Sequence, residues 1–125
     1  MILIADDEPR IGEPLKAALS EAGFGVRYVK SPADALRSIE SEGLLALITD
    51  VQLGSDVDGW AVARRARERQ PELPIVYISG TCAADHRSRG VPDSLMLRKP
   101  FVPAQLLRAL RELLDQGALA ATAPR

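Results

Sequence analysis

The sequence holds few of the residues that would take it out of the ordinary soluble class. Cys82 is its only cysteine, so no disulfide can close within the chain, and this usage suits a reducing compartment. Charge of either sign is not in excess: 16 Lys and Arg stand against 17 Asp and Glu. A dedicated nucleic-acid binder would carry a clear basic surplus, so no nucleic-acid partner is expected. Long hydrophobic runs are missing too. The longest, Leu44 to Ile48, is far too short to cross a bilayer, and Met1–Ala5 is too short for a secretory leader and runs straight into acids. The expectation is a cytoplasmic protein with no membrane partner. There is no low-complexity segment and no run of charge long enough to form a tail. With 125 residues, 46% of them hydrophobic, the chain has the size and composition of one globular domain.

The apolar residues come in short, partly β-branched runs: Met1–Ala5, Gly25–Val29, Leu44–Thr49, Pro74–Ile78 and Ser94–Leu97. Their near-continuous apolarity predicts strands of a parallel sheet covered on both faces. Stretches with helical spacing alternate with them. Ile11, Leu15 and Leu19 recur at intervals of four, and Pro14 within this pattern implies either a kink or a later start. Ser31-Pro32 reads as an N-cap and first-turn proline. Asp58 reads as the cap of a helix through Trp60, Ala63 and Ala66. Leu106, Leu107, Leu110, Leu113 and Leu114 mark an amphipathic last helix. Cys82 to Gly90 has no large aliphatic stripe, which predicts a short, loosely held helix. Residues 116–125 lack periodicity and read as a flexible tail, leaving 1–115 as the domain. The fold class is α/β, a doubly wound (βα)₅ unit with right-handed crossovers. In such folds the functional site lies beyond the carboxyl ends of the strands.

Those ends carry a consistent polar set: Asp6-Asp7 after the first strand, Asp50 after the third, Ser79 after the fourth and Lys99 after the fifth. Each alone has an ordinary explanation, as a helix start, a turn or a surface loop; in this order and at these places their joint occurrence points to a site. Three carboxylates brought together repel one another and need a cation. Lys99 supplies one positive charge and a divalent ion two, which balances three carboxylates. Oxygen ligands without His or Cys suit Mg²⁺ better than zinc. An Asp beside such an ion can act as a nucleophile toward phosphorus. Phosphoryl transfer then asks mainly for positioning and charge neutralisation, which the ion, Lys99 and the Ser79 hydroxyl would supply.

On these residues the sequence closely resembles the CheY-like receiver domain of two-component response regulators, over residues 1 to about 115. The acidic pair stands in ILIADDEP, the aspartate in ALITDVQL, the hydroxyl in IVYISG and the lysine in LRKPF. The resemblance implies a flavodoxin-like strand order 2-1-3-4-5 and Asp50 as phosphoacceptor, with Ser79 and Lys99 assisting. It also implies Mg²⁺ held by Asp7, Asp50 and the main-chain carbonyl of Gln52, with Asp6 acting through water, and a cis Lys99–Pro100 bond. A histidine kinase or histidine phosphotransfer protein would be the donor, and a downstream protein the target. Two departures concern switching rather than chemistry. Met96 stands where the family usually has Tyr or Phe, three residues before the lysine. After Asp50 the family usually places Pro at +4 and Gly at +8, whereas Gly54 and Gly59 occupy +4 and +9 here.

The leading expectation is a phosphorelay switch that is not a turnover enzyme on an external substrate. Alternatives are a phosphorylation-independent interaction module and a receiver belonging to a hybrid histidine kinase. A flavodoxin-like electron carrier is rejected, because Asp6-Asp7-Glu8 would repel a flavin phosphate. His86 reads as a surface residue, Trp60 as packing on the third helix, and Cys82 as unmarked by any activating neighbour.

Overall fold

The structure, a computed structural model, describes residues 1–122 apart from 42, 55 and 82, with side chains as far as residue 116. Cys82 therefore lies outside the described residues. All five apolar runs become strands: β1 (Ile2–Ala5), β2 (Val26–Val29), β3 (Ala46–Asp50), β4 (Ile75–Ser79) and β5 (Leu95–Arg98). They form one parallel sheet in the order β2-β1-β3-β4-β5. The helices are α1 (Pro9–Glu21), α2 (Pro32–Ser41), α3 (Gly59–Arg69), α4 (His86–Arg89) and α5 (Pro103–Thr122), with a single 3₁₀ turn, Ala83–Asp85, leading into α4.

Because successive side chains of a strand point to opposite faces, the sheet feeds two cores. Leu3, Leu47, Ile75 and Tyr77 pack with α2 and α3, while Ile2, Ile4, Ile48, Val76 and Ile78 pack with α1 and α5. The three central strands are buried along their whole length, which is why they read as continuous apolar runs. Register then fixes the site. Ala5 pairs with Thr49, Asp50 with Ile78, and Ser79 with Arg98. Asp6, Asp50, Ser79 and Lys99 consequently stand in one row at the carboxyl edge.

The helix starts follow local chemistry. Ser31 Oγ accepts a hydrogen bond from Asp34 N–H at 3.1 Å, and Asp58 Oδ1 accepts one from Ala61 N–H at 2.9 Å. Pro14 does not delay α1, which begins at Pro9 and runs through it. Pro14 lies on the exposed side of the helix, and the Arg10 carbonyl forgoes its intrahelical donor. At the other end of the chain, the backbone of residues 116–122 continues α5 to Thr122. Four of those residues are Ala or Leu, which favour helix without any amphipathic pattern.

The segment before β5 is short, as expected, but it is held by side chains rather than left loose. His86 is half-buried, not a surface residue: its Nε2 lies 2.8 Å from Ser94 Oγ and its ring packs edge-on to Tyr77. Burial holds its pKa below the usual imidazole value. Val91 N–H donates to Tyr77 Oη at 3.0 Å, and Arg89 reaches Asp58 Oδ2 at 3.3 Å.

Arg67 fastens the turn that follows. From α3 its guanidinium donates to the carbonyls of Leu73 (2.7 Å), Pro92 (2.6 Å) and Asp93 (3.3 Å), the last residue having φ +56°. A lysine cannot satisfy three divergent acceptors in this way. Arg67→Ala is expected to lower the free energy of unfolding by about 2 kcal/mol, since part of the loss is recovered by hydration of the freed carbonyls. Urea denaturation checks this; a change within experimental error would show the turn to be fixed by other means.

Candidate functional site

At the carboxyl edge a cleft of about 590 Å³ opens between the loops after β1, β3 and β4, with Asp7, Asp50, Gln52 and Lys99 among its walls. Asp50, the last residue of β3, is 4% exposed, and Lys99 reaches across from the end of β5 to place Nζ 2.8 Å from its Oδ2. The Nζ is also 3.8 Å from Asp6 Oδ2 and from Glu8 Oε1. Burial alone would pull the Lys99 pKa down. The bond to Asp50 and the charges of Asp50, Asp6 and Glu8 outweigh it, and hold the ammonium above its usual value. The bond between Lys99 and Pro100 is cis.

Asp6, expected as a partner of the ion, is completely buried. Its Oδ1 accepts from Glu8 N–H at 2.8 Å, while its Oδ2 has no hydrogen-bond partner among the described residues. Burial pushes its pKa up to about 6; the bond from Glu8 and the Lys99 charge oppose that rise, and Asp50 and Asp7 add to it. One carboxylate oxygen from each of Asp6, Asp7 and Asp50 lies within 4.8 Å of the others. A buried carboxylate that leaves one oxygen without a hydrogen bond, clustered with two further carboxylates and one ammonium to offset them, is a donor set that suits a hard divalent cation. Gln52 lines the same cleft, and its N–H donates to Asp50 Oδ1 at 3.1 Å.

Ser79 is at the expected strand end but nearly buried, its Oγ accepting from Thr81 N–H at 3.2 Å. Gly80 and Thr81, rather than Ser79, line the cleft. Sequence reasoning passed over Glu8 and Thr81 as wall residues, and treated Asp58 only as a cap. Polar side chains within three residues of each strand end are the signal that would have found the first two.

The two departures acquire physical reasons. Gly54 has φ +69°, which proline cannot adopt, and a Cβ there would sit 3.0 Å from Asp7 Oδ2. The longer loop thus turns on glycine where a side chain would press on the acidic residue. Met96 is partly buried in the α2/α3 core and pairs in register with Tyr77 of β4. The aromatic ring of this region therefore comes from the neighbouring strand.

Residues 2–111 match the response regulator receiver domain. The chain belongs to that family. The transcriptional regulatory protein CusR of Escherichia coli K12 is 32% identical over 120 residues, which are 94% of this chain and 52% of CusR. The chain thus spans about half the length of the curated regulators of this kind that it matches. A response regulator receiver protein from Sinorhizobium medicae WSM419 has a crystal structure that superposes with a TM-score of 0.88 at 44% identity, covering 91% of this chain and 93% of that one. The receiver domain of the sensor histidine kinase PA1611 from Pseudomonas aeruginosa PAO1 superposes with a TM-score of 0.78 at 26% identity, over 91% and 96% of the two chains. In that structure a magnesium ion is coordinated in the active-site cleft. Receiver domains are phosphorylation switches of two-component signalling. Among the described residues, no helix is long and apolar enough to cross a membrane.

Proposed function

We propose that Asp50 is the phosphoacceptor of a cytoplasmic switch, charged by a phosphohistidine on a histidine kinase or histidine phosphotransfer protein and read by a downstream protein. The contact that carries this reading is Lys99 Nζ at 2.8 Å from Asp50 Oδ2, set among three carboxylates. One Asp50 oxygen attacks phosphorus, and the P–N bond to the donor imidazole breaks with its electron pair staying on nitrogen. The product is an acyl phosphate. Water then attacks the same phosphorus, the P–O bond to the Asp50 oxygen breaks, inorganic phosphate leaves and the carboxylate returns, so the group modified is the chain's own. Asp7, Asp50 and the Gln52 carbonyl would hold Mg²⁺, with Asp6 joining through water, and the ion supplies the charge that lets an anionic donor approach an acidic cleft.

The protein's own groups do the rest. Lys99 is already in place to follow the negative charge from the carboxylate onto the phosphoryl oxygens. The Ser79 hydroxyl, now held by Thr81 N–H, is the group that can turn toward a new phosphoryl oxygen and draw the loop after β4 with it. Residues 1–115 form the unit that does this.

Incubation with acetyl phosphate and Mg²⁺ is expected to add a single alkali-labile phosphoryl group, located on the peptide containing Asp50. Excess chelator should prevent it. Labelling that persists in chelator, or that maps to another residue, would overturn the assignment.

A further inference from the structure

The α1 helix contains a feature that the chemistry above does not use. Gly12 is buried, and a Cβ placed on it would lie 2.2 Å from Cζ of Tyr28 and 2.6 Å from its hydroxyl oxygen. The ring of Tyr28 thus occupies the space that any other residue at position 12 would fill. Glycine within a helix costs about 1 kcal/mol relative to alanine, so a ring seated there comes at the helix's expense. What the ring gains by this seat is reach: Tyr28 Oη donates to the main-chain carbonyl of Asp6 at 2.8 Å.

That carbonyl belongs to the peptide joining the two acidic residues. A peptide unit is rigid and planar, so anchoring its oxygen fixes the Asp7 nitrogen and, through it, the direction in which Asp7 leaves the main chain. Asp7 needs this, because it is exposed and its side chain makes no hydrogen bond among the described residues. Asp6 is held from the same side, its N–H donating to Val29 O at 3.1 Å. With Oδ1 bonded to Glu8 N–H, Oδ2 of Asp6 makes no hydrogen bond among the described residues and lies 3.8 Å from Lys99 Nζ, and Asp6 gives one carboxylate oxygen to the three-carboxylate cluster. β2 supplies two of the three bonds that fix Asp6.

We infer that Tyr28 is a positioning residue for the cation site: its hydroxyl holds the Asp6–Asp7 peptide so that Asp7 faces Asp50, and Gly12 exists to admit its ring. This rests on the reading of the acidic cluster as a Mg²⁺ site, and adds to it a residue that touches neither the ion nor the phosphoryl group.

Tyr28→Phe keeps the ring and deletes only the bond. Calorimetric titration with MgCl₂ is expected to show a dissociation constant raised about three- to tenfold, the equivalent of one ordinary hydrogen bond. Leu113→Ala, in the core midway along α5, serves as the control: it should lower the thermal midpoint at least as much while leaving Mg²⁺ affinity unchanged. A second pair tests the role of Gly12. Gly12→Ala should lower the thermal midpoint in the wild-type background and raise it in a Tyr28→Ala background, where the ring no longer competes for the space. If the wild-type chain shows no saturable Mg²⁺ binding, the reading of the site itself fails. If the wild type binds and Tyr28→Phe binds equally well, or no worse than Leu113→Ala, the positioning role is overturned while the site stands.

Discussion

Replacing Asp50 by Asn is expected to leave the chain without a phosphoryl group under conditions that label the wild type fully. The substitution is nearly isosteric, and its carbonyl oxygen can still accept the hydrogen bond from Gln52 N–H, so the loop after β3 keeps its anchor. What disappears is chemistry. An amide oxygen is a poor nucleophile toward phosphorus, and the charge that pairs with Lys99 at 2.8 Å is gone. The cluster falls from three carboxylates to two, which weakens its hold on a divalent cation as well. Intact-mass measurement after incubation with acetyl phosphate and Mg²⁺ gives a yes-or-no answer. Undiminished labelling of Asp50→Asn would remove Asp50 from the mechanism.

The second large effect lies in stability. Asp6 has its folded-state pKa raised to about 6 from an ordinary value of 3.8, with burial as the main cause. Between these two values the unfolded chain has given up the proton while the folded chain retains it. At this group the folded state therefore binds more protons, and the contribution of Asp6 to stability falls as pH rises through that window. The contribution is present in full below about pH 4 and is lost by somewhat above pH 6; it amounts to at most about 3 kcal/mol. Above the window, the metal-free protein carries an ionised, buried carboxylate whose Oδ2 has the Lys99 charge 3.8 Å away but no hydrogen bond among the described residues. A divalent cation in the cluster removes that burden, so added Mg²⁺ should stabilise the protein strongly at pH 7 and little at pH 4.5. Asp6→Asn keeps an acceptor for Glu8 N–H but cannot ionise. In chelator at pH 7 it is expected to unfold at higher urea concentration than the wild type, and to lose most of the Mg²⁺-dependent gain. Urea titrations at several pH values, with and without Mg²⁺, test both halves. Parallel pH profiles for wild type and variant would show that Asp6 does not carry the linkage.

Much of this site can be read from the linear sequence because its members sit at strand ends. A parallel sheet brings strand ends together whatever the loops do, so ILIADD, LITD, YISG and LRKP converge once five strands are recognised. The sheet itself was legible because β1, β3 and β4 are buried on both faces, leaving no polar alternation to blur their runs. What escaped was pairing between residues distant in sequence. Gly12 looks like a blemish in a helical pattern until Tyr28 of β2 is seen across it. Arg67 looks like one of several arginines on α3 until the carbonyls of Pro92 and Asp93 arrive from the other side. His86 has no apolar stripe around it, and only the folded chain places Tyr77 and Ser94 against its ring.

The packing beneath α4 has an optical consequence. Trp60 is the sole tryptophan, and it is wholly shielded from water. Its indole lies 4.6 Å from the Tyr77 ring, and the Arg89 guanidinium sits 5.7 Å from the indole centroid. Light absorbed by Tyr77 has an immediate acceptor, and the emitting ring sits in an apolar cage beneath one cation. Arg89 is the last residue of α4, so any displacement of that helix draws a positive charge away from the excited indole. The intrinsic emission of this chain is therefore a gauge of where α4 lies, read without a label and from one known position.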